Sequence, residues 1–190
     1  RLKESARIIS DLPGFSRLAQ ELAEKAQRLD NKGFSVALFG AFSAGKSSFA
    51  NALLGQRVLP VSPNPMTAAI NRIKPVDNAH GHGLVHISLK NPVVMLADVN
   101  HALQLFSCQA QSLEGAVEII AGLSGDLARQ GAAEKTNYSF LQAFSRGYAQ
   151  LAAQLGTILP STTDKFAPYV ACEEKSCFVD WIDLYYDCAL

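Results

Sequence analysis

The sequence predicts an α/β fold, and three observations carry the prediction. An almost wholly apolar run, Phe34 to Phe39, ends in glycine, as a parallel strand buried on both faces does. A glycine-rich stretch, Gly40-Ala41-Phe42-Ser43-Ala44-Gly45-Lys46-Ser47, follows it directly. Beyond that, Phe49/Leu53 and Ala50/Leu54 stand one helical turn apart, and Gly55 sits where a helix C-terminus favours positive φ. The order is strand, loop, helix.

Upstream, Phe15, Leu18, Leu22, Ala26 and Leu29 recur at helical spacing among charged residues, so residues 1–33 are expected to form an N-terminal amphipathic helix ending near Gly33. Downstream, Val58 to Met66 contains three prolines and reads as a loop. Ala69 to Lys74 reads as a strand. A turn around Asp77 to Gly83 leads to Leu84–Leu89, whose alternation suggests an antiparallel partner. Residues 34–91 thus form one part of the core.

From Pro92 to about Gly156 the character changes. Val94/Asp98/Ala102/Leu105, Leu113/Val117/Ile120/Leu127 and Phe140/Phe144/Tyr148/Leu151/Leu155 are three helical patterns separated by breaks containing Gly and Ser. Residues 92–170 are therefore expected to be a helical insert. Extended structure returns at about Ser176, so 171–190 are read as a returning strand of the core. The chain opens on Arg1 rather than Met and stops in an apolar, strand-like run, which reads as a piece of something longer.

With 190 residues, 48% of them apolar, the chain can bury one substantial core. Lys plus Arg and Asp plus Glu are each 17, so bulk charge points to neither nucleic acid nor an anionic membrane as the main partner. Cys108, Cys172, Cys177 and Cys188 form no C-x-x-C pair and no zinc-type spacing, which suggests reduced thiols and a cytoplasmic setting. No apolar run approaches the roughly 18 residues needed to span a bilayer, leaving a peripheral position at a membrane open.

The glycine-rich stretch matches the P-loop pattern G-x-x-x-x-G-K-[ST]. Such a loop, poor in side-chain bulk, turns its backbone N–H groups onto phosphate oxygens, and the helix after it presents its positive end to the anion. Gly40, Phe42, Ser43, Ala44, Gly45, Lys46, Ser47 and Ser48 are the phosphate-binding candidates. Lys46 is the charge that reaches the β- and γ-phosphates, and the Ser47 hydroxyl is a ligand for Mg²⁺. The pattern arises by chance in on the order of one chain in a hundred of this length, so its setting between a strand and a helix decides for it. A phosphoryl-transfer site also needs a segment that senses the γ-phosphate and completes the metal shell. Thr67, between the P-loop helix and the next strand, is the candidate.

Residues Leu38 to Gly55, then Val58-Leu59-Pro60 and Pro65-Met66-Thr67-Ala68, resemble the opening of bacterial dynamin-like GTPases. The family's Leu-Pro loop leads to a Pro-Thr-Thr-Ala stretch whose second threonine is the switch residue. Thr67 falls on it, and Met66 replaces the first threonine. Ser43 matches a P-loop serine that in dynamins helps hold a monovalent cation near the leaving phosphate. The resemblance implies a dynamin-type GTPase core with GTP as substrate, Mg²⁺ as cofactor, and Ser43, Lys46 and Thr67 as catalytic residues. Ser47 and Thr67 would hold the metal. It also implies self-association through the GTPase domain and membrane remodelling, with any lipid contact made by regions outside this chain.

Cys177 through Cys188 resemble the segment leading to the strand that bears the family's D-x-P-G motif. That motif and [NT]-K-x-D are absent downstream, so the core is expected to be incomplete and hydrolysis to belong to the intact protein. The D-x-P-G at Asp11-Leu12-Pro13-Gly14 precedes the P-loop and reads as an ordinary turn. Two other readings stay open: a non-catalytic nucleotide-responsive interaction module, and a P-loop ATPase, since nothing in these residues reads the base.

Other signals are weaker. His80, His82 and His86 are expected to form a solvated hairpin tip rather than a metal site. Asp180, Asp183 and Asp187 alternate with apolar residues as the polar face of a strand does. Phe140, Phe144 and Tyr148 have helical spacing and are read as core.

Overall fold

The computed structural model describes residues 2–10, 12–30, 35–40, 44–60, 69–123 and 131–187. Phe34, Phe42, Ser43, Thr67, Leu127, Cys188 and the carboxylate of Asp11 lie outside the described residues. The chain divides into two compact units, Arg1–Gly40 and Ala41–Leu190.

The first unit holds two helices, α1 (Leu2–Ser10) and α2 (Ser16–Asp30), where the sequence predicted one. The turn between them is made by Gly14 at φ 85° and the Phe15 N–H bonded to Leu12 C=O at 3.2 Å. The inward residues are alanines, Ala6, Ala19 and Ala26, whose small side chains let the helices approach closely. Phe15 and Leu18 remain 46% and 45% exposed, so the bulky residues of the predicted stripe are not what seals this pair. Residues 35–40 form no strand, and Phe39 is 90% exposed. An apolar run becomes a strand only when a neighbouring chain takes its N–H and C=O groups, and composition alone cannot supply that neighbour.

The second unit is a mixed α/β structure. Its sheet comprises β1 (Ile70–Lys74), β2 (Leu84–Leu89), β3 (Ile158–Thr162) and β4 (Val179–Tyr185), in the order β1-β4-β2-β3. β4 runs parallel to β1 and antiparallel to β2, and β2 pairs antiparallel with β3. The antiparallel neighbours of β2 are therefore the two C-terminal strands, and β4 lies between β2 and β1. β3 falls inside 92–170, so that stretch is not wholly helical. Its Pro160 sits opposite His86 on an edge strand, where a residue lacking an N–H is tolerated.

The remaining elements are α3 (Lys46–Leu54), α4 (Pro92–Gln104), α5 (Leu113–Ala121), α6 (Ala132–Leu151) with a 3-10 turn at Ala152–Gln154, and the one-turn helices α7 (Pro168–Ala171) and α8 (Glu173–Ser176). Asn91 caps α4 by accepting from Val94 N at 2.9 Å, with Pro92 in the first turn. Ser112 caps α5 in the same way from Gly115 N. The core lies on one face of the sheet, where Val85 opposes Leu184 and Ile87 opposes Ile182. Met95, Val99 and Leu103 of α4, Ile120 of α5, and Leu141 and Phe144 of α6 pack there, together with Phe166 and Phe178. The inward stripe of α4 is thus Met95/Val99/Ala102/Leu103, while Val94 and Leu105 are exposed. Phe144 is fully buried, with Phe140 and Tyr148 partly so, as core residues.

Candidate functional site

The site is built from the first turn of α3 and the loop that follows this helix. Gly45 precedes α3 in the left-handed region, φ 81°, which only glycine adopts without strain, and it brings no capping side chain to that end. Its carbonyl receives Phe49 N at 2.8 Å and so opens the helical ladder. An α-helix of nine residues aligns its peptide dipoles so that positive potential gathers at the first turn, here at Lys46, Ser47 and Ser48. Lys46 and Ser47 are half-buried, and Ala44, Gly45 and Ser48 exposed. Gly40 ends the first unit at φ 155°. Phe42, Ser43 and Thr67 lie outside the described residues.

The other end of α3 is held in a way that periodicity did not reveal. Gly55 closes the helix at φ 68°, its N–H bonded to Ala52 C=O. The buried Asn51 side chain then makes three bonds to the loop beyond: Oδ1 accepts from Val58 N at 3.0 Å and Leu59 N at 2.7 Å, and Nδ2 donates to Leu59 C=O at 2.9 Å. Leu59 itself enters the core. Next to it, the Tyr186 hydroxyl bonds Gln56 Oε1 at 2.5 Å, and Tyr186 N donates to Lys74 C=O. One sequence signal for this was available: a polar residue, Asn51, on the buried side of a helix whose other inward residues are Ala50 and Leu54.

The polar face of β4, opposite the core, carries Asp183 as its alternation predicts. Asp183 is nevertheless buried there, because Arg72 lies opposite it across the parallel β1–β4 ladder. Arg72 Nε and Nη2 donate to its two oxygens at 2.5 and 2.9 Å, and Lys74 Nζ donates at 2.8 Å. Burial pushes the Asp183 carboxyl upward, but the bonds and charges of Arg72 and Lys74 outweigh it and hold the group below its ordinary value. Asp180 and Asp187 are exposed. His82 is exposed at the turn, as expected, while His80 and His86 are half-buried. His80 stacks on Tyr185 at 4.2 Å between ring centroids and is bonded through Nδ1 to Asp77, and His86 meets both rings edge-on.

Among the described residues, no group of His, Cys, Asp and Glu is arranged to hold a metal ion, and no helix is long and apolar enough to cross a membrane. Cys108, Cys172 and Cys177 are free thiols, and burial pushes Cys177 up to about 12. An open groove of about 380 Å³ lies between α4, α5 and α6, lined by Pro92, Val93, Leu96, Leu113 and Tyr148 among others; none of the described residues of 40–60 lines it.

A chain whose G-x-x-x-x-G-K-S motif runs into the first turn of a helix in a mixed α/β unit defines the class, a P-loop nucleotide-binding fold. The family follows from comparison: the sequence matches the Dynamin family over residues 36–180. It is also 35% identical, over 192 residues, to Dynamin-like protein A of Bacillus subtilis (strain 168), an alignment covering 96% of this chain and 15% of that protein. The chain belongs to the dynamin family, and it spans about 15% of the length of the curated relative it matches.

Proposed function

We propose that the intact protein binds GTP and hydrolyses it with Mg²⁺, and that the stretch from Gly40 to Ser48 is the phosphate cradle. The observation that carries this reading is the first turn of α3, where a left-handed Gly45 leads into Lys46 and Ser47 in a chain of the dynamin family. A first-turn hydroxyl is a hard oxygen donor, which suits Mg²⁺, and an adjacent ammonium suits the β/γ-phosphate oxygens. The metal, when bound, neutralises charge developing between those phosphates.

The roles then divide as follows. Amides of Gly40, Phe42, Ala44, Gly45 and Ser48 wrap the phosphates, and Lys46 compensates their charge. Ser47 and Thr67 hold the metal, Thr67 orients the attacking water, and Ser43 holds a monovalent cation near the leaving phosphate. Positioning and charge compensation supply most of the rate enhancement. We read α4 to α6 as a helical insert on this core. Family membership further supports self-association through the GTPase domain, with nucleotide state coupled to membrane remodelling in the intact protein.

Phosphate release from GTP by the full-length protein tests the activity, and competition of GTP and ATP against a labelled nucleotide tests the base. Release from GTP, with GTP the stronger competitor, is expected. Equal competition by the two nucleotides contradicts the GTPase reading.

A further inference from the structure

We propose that Asn51 is a positioning residue for the nucleotide's phosphates and metal, and that Tyr186 is its second anchor. The proposal rests on the cradle reading above. α3 is only nine residues long, buries three of them, and no other helix or strand among the described residues packs extensively on it. Beside the apolar burial of Ala50 and Leu54, its attachments include polar ones that fix direction. Asn51 ties the helix to the backbone of Val58 and Leu59, whose Leu59 side chain is fixed in the core. Tyr186, held to β1 by its own N–H, ties Gln56 to the end of the sheet.

Helix geometry turns this brace into a device acting on the site. Residues four apart lie above one another on one face, so Asn51 stands one turn below Ser47, and the buried Ala50 stands one turn below Lys46. A helix pinned at Asn51 presents Ser47 in one direction; released there, it turns about its axis and carries the hydroxyl and the ammonium with it. An asparagine suits this duty because one amide both accepts from two N–H groups and donates to a C=O. Leucine, of similar size, offers none of these bonds. Aspartate keeps the acceptor and sets a carboxylate oxygen against the Leu59 carbonyl.

The test uses the full-length protein, a fluorescent GTP analogue, and Asn51→Leu, Asn51→Asp, Tyr186→Phe and Lys46→Ala. In Asn51→Leu, which leaves three backbone groups without their side-chain partner, the Mg²⁺ concentration giving half-maximal nucleotide binding is expected to rise about tenfold. Tyr186→Phe, which removes a single hydroxyl and keeps the ring, is expected to move the Mg²⁺ dependence in the same direction by less, and it carries the test if Asn51→Leu does not fold. A role confined to stability would lower the unfolding midpoint while leaving the Mg²⁺ dependence where it was. Added to Lys46→Ala, Asn51→Leu should cost less affinity than it does alone, because the group it positions has gone. A Mg²⁺ dependence at the wild-type value in both Asn51→Leu and Tyr186→Phe, beside a defective Lys46→Ala, overturns this proposal alone. Wild-type binding by Lys46→Ala overturns the cradle reading and this proposal with it.

Discussion

Asp183 of β4 lies opposite Arg72 of β1, and the guanidinium grips its carboxylate through both Nε and Nη2. This pair bridges the parallel β1–β4 ladder, and Lys74 brings a second cation to the same carboxylate. Asp183→Asn leaves two cations facing a neutral amide and is expected to cost on the order of 2 kcal/mol in urea denaturation. The sign with pH follows from the lowered carboxyl. Its contribution is complete above the ordinary carboxylate value of 3.8 and is lost as pH falls through the lower folded value. The gap between wild type and Asp183→Asn should therefore be constant from pH 5 to 7 and begin to shrink as the pH falls below about 4. A gap that does not shrink as the pH is lowered below 4 would contradict this.

Packing at Gly147 gives a second expectation. A Cβ there would stand 2.0 Å from the Glu174 carbonyl oxygen and 2.7 Å from Phe178 Cε2, so α6 and the α8 turn touch only because the side chain is absent. Gly147→Ala is expected to destabilise by about 1–3 kcal/mol or more through overpacking. Gly115→Ala, in the first turn of α5 with its nearest neighbour Ser112 Oγ at 3.4 Å, is the control. It should be neutral or stabilising by up to about 1 kcal/mol. Equal effects of the two would show that the close approach is not real.

Tyr148 donates its hydroxyl to Glu114 at 2.5 Å at the edge of the groove between α5 and α6. Burial, then the bond to Glu114 and its charge, push the phenol up to about 12. In an ultraviolet titration of the five tyrosines, Tyr148→Phe should remove the component ionising near pH 12. Loss of a component near pH 10 instead would place the phenol in open solvent.

What could be read in the sequence was local. Gly45, Lys46 and Gly55 mark their conformations within a single turn of chain, and α4 and α5 announce themselves through Asn91 and Ser112. What escaped depends on distant partners. Asp183 meets Arg72 across 111 residues, so alternation gave its face but not its partner. β3 was hidden by Pro160, tolerable only because β3 turned out to be an edge. The apolar run before the P-loop has the composition of a strand, yet pairing rather than composition makes a strand, and 35–40 form none. Asn51 escaped because a buried polar residue declares itself only once its backbone partners, at Val58 and Leu59, are placed.

The most direct measurement is equilibrium binding of a GTP analogue to the full-length protein, in Mg²⁺, with Lys46 intact and with Lys46→Ala. Removing the one charge that the first turn of α3 offers the β/γ-phosphates is expected to weaken binding by about two orders of magnitude, the scale of a charge-assisted contact in a partly dry site. Affinity within twofold of wild type in Lys46→Ala would contradict the assignment of this loop as the phosphate cradle.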